Sequence, residues 1–172
     1  GTMLLNAALF RSDYSSLQQS IFVVTPGAFF QVIRNVGSSV SQGAELEVQW
    51  APDDHWRIGA TGTYLDSYYK SYPNAAPSEI QRLQGITSRD RSGDRTDYAP
   101  KLSGTFDVQY ATPINDNLEI RLAGNLFYSG AYHFREIRQD AYAKGDARIT
   151  VADLGERWEI SLNGKNLTDR RV

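Results

Sequence analysis

Apolar and polar residues alternate along most of this chain. Leu118, Ile120, Leu122, Leu126 and Tyr128 fall on one side of an extended segment, with Glu119, Arg121 and Asn125 on the other. The same period of two separates Leu102, Phe106, Val108 and Tyr110 from Lys101, Ser103, Thr105, Asp107 and Gln109. It also sets Ala44, Leu46, Val48 and Trp50 against Glu45, Glu47 and Gln49, and Trp56, Ile58, Ala60 and Tyr64 against Arg57, Thr61 and Thr63. Ala147, Ile149 and Val151 oppose Asp146, Arg148 and Thr150, and Trp158, Ile160 and Leu162 oppose Glu159, Ser161 and Asn163. The first segment is weaker, with Leu5, Ala7 and Leu9 against Asn6, Ala8 and Phe10. Successive side chains of a strand point to opposite faces, so each segment predicts a two-faced strand. About seven strands follow, over roughly 3–24, 29–51, 56–70, 100–112, 118–135, 141–152 and 158–168.

The connections are asymmetric. Three short polar turns, 51–55, 112–117 and 153–157, are every second turn of an up-and-down meander and so share one end. Trp50, Trp56, Tyr110 and Trp158 flank them, which predicts an aromatic belt along that edge. The other end carries loops near 25–28 and 136–140 and a long polar one from about 71 to 99, a length that is functional or disordered in most proteins. Short turns on one side, long loops on the other and an aromatic belt predict an all-β fold, an antiparallel up-and-down meander forming part of a transmembrane β-barrel. The alternative is a soluble all-β binding or adhesion module, a sandwich with one buried face.

Composition changes this little. The 172 residues hold no cysteine and carry a net charge of −2, which gives no electrostatic case for nucleic acid. Mean hydropathy is −0.45, as expected where wet and lipid-facing residues average out along each strand. No apolar run approaches the roughly 20 residues of a membrane helix. The bias toward aromatic residues, 12% of the chain, favours strands.

Candidate chemistry lies in the long loop. Arg82, Arg89, Arg91 and Arg95 are suited to an anionic chelate or a lipopolysaccharide phosphate, which guanidinium groups pair bidentately. Asp90, Asp94 and Asp97 partly neutralise them, without the spacing of a calcium loop. The bland reading is a solvated loop with weak ion pairs. Tyr64, Tyr68, Tyr69 and Tyr72 gather near the same end, level with Tyr128, Tyr132 and Phe134. They predict either ligand contact, with Tyr68, Tyr69 and Tyr132 the candidates, or a second interfacial girdle. Glu45 and Glu47 lie on the polar side, the lumen of a barrel. No catalytic site is expected, since His55 and His133 fall at opposite ends and no nucleophile–base pair is visible; no metal site or cofactor is expected either.

Four motifs carry a family resemblance. They are Leu4 to Gln18 with its Asp13-Tyr14 and a following Gln, Asn35-Val36-Gly37 followed by Gly43-Ala44-Glu45-Leu46-Glu47, Ala99-Pro100-Lys101, and Gly164-Lys165-Asn166-Leu167-Thr168-Asp169. In this order the chain resembles the C-terminal part of the barrel of TonB-dependent outer-membrane receptors. The resemblance implies that residues 1–172 are a partial barrel wall, cut from a plugged barrel of about 22 strands, with the plug domain and the last strand absent. It implies a location in the bacterial outer membrane, with outer-membrane lipid around the wall. For the parent it implies a plug domain and TonB as partners, and import of a ferric siderophore or similar scarce nutrient. Produced alone, the fragment is expected to self-associate through its open edges.

Overall fold

The computed structural model describes residues 1–25, 27–134 and 137–171. Pro26, expected in a turn, and residues 135 and 136, expected at a strand end and the following loop, lie outside them. Seven strands form one antiparallel sheet in the order β1-β2-β3-β4-β5-β8-β9. Their spans are β1 Thr2–Thr25, β2 Ala28–Ala51, β3 Trp56–Ser71, β4 Leu102–Pro113, β5 Leu118–Ser129, β8 Tyr142–Asp153 and β9 Glu159–Gly164. Between β5 and β8 a separate hairpin pairs β6, Tyr132–Phe134, with β7, Ile137–Gln139. A short helix α1, Glu79–Leu83, stands in the long loop, closed at its start by a capping box between Ser78 and Gln81.

The register makes the alternation continuous across strands. One rung runs Ala7, Leu46, Gly62, Gly104 and Tyr128; another runs Leu5, Val48, Ala60, Phe106, Leu126 and Gly145. Ile120 pairs with Val151, which pairs with Ile160. The alternating apolar residues of the seven strands therefore share one face, and Asn6, Glu47, Thr61 and Thr105 line a rung of the other, which ends on Phe127. A one-residue slip anywhere would invert a strand, so the pattern excludes odd slips, and the short turns fix the register that remains.

That apolar face is uncovered. Leu9 is 88% exposed, Leu162 73% and Ile160 71%. A soluble sandwich would lay a second sheet on it; among the described residues there is only this sheet and the small hairpin. The buried cluster sits elsewhere, at the long-loop end, where Tyr69, Tyr72 and Ala75 pack together with Leu17 against them.

Two expected spans differ. The segment read as one strand over 118–135 breaks after Ser129. Gly130 N–H donates to Leu102 O at 2.7 Å, closing the ladder, and the His133 carbonyl then accepts from Tyr98 N–H at 2.9 Å. This pulls β6 away from the line of β5. The last strand stops at Gly164 rather than 168, because Asn166 turns left-handed, φ 50°, and its N–H is taken by Asp146 Oδ1 at 2.7 Å. The loop over 71–99 is ordered, with α1 and paired residues at Tyr68–Arg95 and Ala75–Arg89.

Candidate functional site

The short-turn end is built by one device used three times. A side-chain oxygen of an Asp or Asn in the turn accepts from backbone N–H groups two to four residues further on, as an Asx turn does. Asp53 Oδ1 accepts from His55 N at 2.8 Å and Trp56 N at 3.1 Å. Asn115 Oδ1 accepts from Asn117 N at 2.9 Å and Leu118 N at 3.0 Å. Asp153 accepts from Arg157 N at 3.3 Å and is clasped by the same guanidinium at 2.7 and 2.8 Å. These turns place Trp50, Trp56, Tyr110 and Trp158 at one edge. Trp50 pairs with Ile58 and Trp56 with Tyr110, whose rings lie 4.6 Å apart.

On the polar face, Glu47 accepts from Asn6 Nδ2 at 3.1 Å and Gln49 Nε2 at 2.8 Å. Glu45 lies opposite Ala8 and Thr63 in register on the same face. Nearer β9, Arg121 bridges Glu119 and Glu159, and Arg148 reaches Glu159 at 3.2 Å and Ser161 Oγ at 2.8 Å. Arg121 from β5 and Arg148 from β8 thus both reach Glu159 of β9 across the polar face. The close approach at Gly43 serves the same packing, since a Cβ there would meet Tyr64 O and the Phe10 ring.

The loop arginines are not gathered into one cation site. Arg91 is buried, its guanidinium paired with Asp97 at 2.9 and 3.1 Å and Asp94 at 3.4 Å, and stacked 4.9 Å from the centre of the Tyr69 ring. Burial works against its charge, but the hydrogen bonds and charge of Asp97 outweigh that and hold its pKa above the ordinary arginine value. Arg95 donates to Leu65 O at 3.0 Å and Ala99 O at 3.1 Å and approaches Asp66 at 3.7 Å. Arg89 is paired through its backbone with Ala75, and its Nε is buried without an acceptor among the described residues. Arg82 lies in the last turn of α1 and is exposed. Tyr69 is buried at 3% exposure beneath the loop, Tyr68 pairs with Val40 and with Arg95 through the backbone, and Tyr132 starts β6. Arg91 and Tyr69 thus hold the loop to the sheet in this structure.

One residue has no sequence signal of a special role. Tyr98 adopts φ 58°, a left-handed conformation that is an outlier for a bulky side chain. The residue is 60% exposed and its ring stacks on Phe134, 4.5 Å between centroids at 24°, with Tyr132 at 6.1 Å. The positive φ depends on contacts from distant elements, which no local pattern encodes.

A family profile described as TonB dependent receptor-like, beta-barrel, matches residues 1–167. Two solved structures are similar in fold. One is the siderophore receptor PiuA from Acinetobacter baumannii, with TM-score 0.69 and 24% identity over 98% of this chain and 22% of that one. The other is the ferric yersiniabactin uptake receptor FyuA from Yersinia pestis, also at TM-score 0.69 and 24% identity, over 98% of this chain and 23% of that one. The chain spans less than a quarter of either receptor's length.

Proposed function

The chain belongs to the TonB-dependent receptor-like β-barrel family of the bacterial outer membrane, and on that premise we propose that it is a wall segment of a transporter, not an enzyme, whose parent imports a ferric siderophore or similar scarce nutrient. The observation that carries the reading is the uncovered apolar face running unbroken through seven strands, inside the region that matches the family. From Leu102 to Tyr110, β4 rises about 26 Å at ~3.3 Å per residue. At a tilt of about 40° this crosses roughly 20 Å, near the apolar band of an outer-membrane barrel.

In this reading the apolar face meets outer-membrane lipid, with Trp50, Trp56, Tyr110 and Trp158 at the interface on the short-turn side. Glu45, Glu47 and the rest of the polar face line the lumen, where a plug domain would sit, and TonB would supply the energy. At the long-loop end, Arg82, Arg89, Arg95, Tyr68 and Tyr132 are the groups proposed to meet a ligand, with Arg91 and Tyr69 holding the loop beneath them.

The test is uptake of radiolabelled iron, presented as a panel of ferric siderophores, by cells carrying the intact receptor under iron limitation. Uptake of at least one complex, abolished by a protonmotive-force uncoupler, is expected. Equal iron accumulation with and without the receptor gene for every complex would overturn the proposal.

A further inference from the structure

We infer that Tyr98 is a latch that ties the loop between β3 and β4 to the β6–β7 hairpin, so that these two connections loosen and order as one cooperative unit. The inference goes beyond the transport reading and does not rest on it.

Paired strands are coupled along their ladder, whereas connections beyond it open separately unless something joins them. The β4–β5 ladder ends where Gly130 N–H donates to Leu102 O at 2.7 Å. Beyond that point the chain runs two ways, back into the long loop through Ala99 and on into β6 at Tyr132. Tyr98 rejoins them. Its N–H donates to the His133 carbonyl at 2.9 Å, and its ring stacks on Phe134 with 4.5 Å between centroids. One residue of the loop thus meets both the backbone and a side chain of β6.

The backbone makes this an all-or-none contact. At φ 58° Tyr98 is left-handed, an outlier for a bulky residue. The φ angle fixes how the ring stands relative to the N–H. Returning it to the ordinary negative range swings one against the other by about 120° or more, which breaks the present pair of contacts. The latched state is therefore a discrete conformation with a relaxed alternative, held by its surroundings. On one side Asp97 is gripped by the buried Arg91 at 2.9 Å, and Arg91 lies over Tyr69 of β3. On the other, the Ala99 carbonyl accepts from Arg95 at 3.1 Å, and Arg95 also reaches Leu65 O of β3 at 3.0 Å. An unbroken run of contacts leads from β6 through Tyr98 to β3. Coupling of this kind is reciprocal, so whatever orders the loop orders the hairpin by the same factor.

Amide hydrogen exchange of the intact receptor in detergent tests the latch. Phe134→Ala, a change confined to β6, should speed exchange at Gly93 and Asp94 about three- to tenfold, the scale of one aromatic pair. Arg91→Ala, a change confined to the loop, should speed exchange of the β6 and β7 amides by a similar factor. Tyr98→Gly removes the ring yet accepts the positive φ. On that background Phe134→Ala should leave Gly93 and Asp94 within about twofold, because the shared partner is gone. Tyr98→Phe keeps the stack and should match the unsubstituted receptor. β4 and β5 should stay protected in every variant, which also shows that the variants are folded. Absence of either crossed effect, its persistence in full on the Tyr98→Gly background, or a Tyr98→Phe protein that behaves like Tyr98→Gly would overturn the latch. Loss of protection in β4 and β5 together with the loop would also overturn it, since the two connections would then not be a unit of their own. No transport is read in these measurements, so the transport proposal stands or falls separately.

Discussion

Arg91 and Asp97 form a two-pronged ion pair, at 2.9 and 3.1 Å, beneath the loop that runs from residue 72 to 101 between β3 and β4. Arg91 is only 8% exposed and lies over the Tyr69 ring. Removing one member of a buried pair strands the other, so Arg91→Ala should destabilise the loop locally by roughly 3 kcal/mol. Amide exchange at Gly93, whose N–H donates to Tyr69 O, and at Asp94, whose N–H donates to Arg91 O, should speed up while β4 and β5 stay protected. Unchanged exchange there would show that the loop is held by other contacts.

Acid should loosen one corner of this loop and only at low pH. Tyr72 N–H donates to Ser92 Oγ at 2.8 Å, and Asp90 accepts from Ser92 N–H at 2.8 Å. Hydrogen bonds from Ser92, first its hydroxyl and then its backbone, hold Asp90 below the ordinary value of 3.8. A carboxylate depressed in the folded state contributes stability above its unfolded pKa and loses it as pH falls through the folded one. Amide exchange at Ser92, corrected for intrinsic rate, should therefore be flat from neutral pH to about 4.5 and rise below about 4. A transition between pH 5 and 7 would point to a different titrating group.

The two faces of β4 should respond oppositely to charge. Val108 sits between Ile58 and Gly124 on the apolar face, and Asp107, its neighbour, accepts from Asn125 Nδ2 at 2.6 Å on the polar one. Val108→Arg should cost about 2–4 kcal/mol of membrane folding free energy, a lumen substitution far less. Refolding yields of the intact receptor into lipid vesicles should fall sharply for Val108→Arg and mildly for Asp107→Arg. Equal yields would argue against lipid on the apolar face.

The short turns can be tested against each other. Asn115→Ala removes two side-chain acceptances in an exposed turn and should cost about 1 kcal/mol. Asp153→Ala should cost more, because Asp153 is buried at 4% exposure and organises both the Arg157 guanidinium and its backbone. Urea titration of the two variants in detergent gives the order directly; the reverse order would show that the Arg157 clasp is incidental.

The 172 residues produced alone should not stay monomeric in buffer. Among the described residues, β1 (24 residues) pairs with β2 alone and β9 has no strand on its outer edge. Such edges template pairing with another chain, and the apolar face adds to the drive. Light scattering should show oligomers. A clean monomer whose β1 amides exchange rapidly would contradict this.

Sequence alone determined the wall. Residues two apart share a face, so Leu46, Val48, Ile120 and Ile160 on one side and Glu47, Glu119 and Arg121 on the other follow from local geometry, which also excludes odd slips of register. Asp53, Asn115 and Asp153 were legible as turn residues for the same reason, since their bonds span two to four positions. Tertiary structure decided what depends on contacts far apart in the chain. Arg91 and Tyr69 became supports rather than free groups because the loop folds back onto β3. The strand expected over 118–135 ended at Ser129 because Tyr98 takes the His133 carbonyl. Tyr98 itself, left-handed and stacked, is fixed by Arg91, Arg95 and Phe134 together. A two-residue period reports which face a side chain takes; it carries no information about which distant group will meet it there.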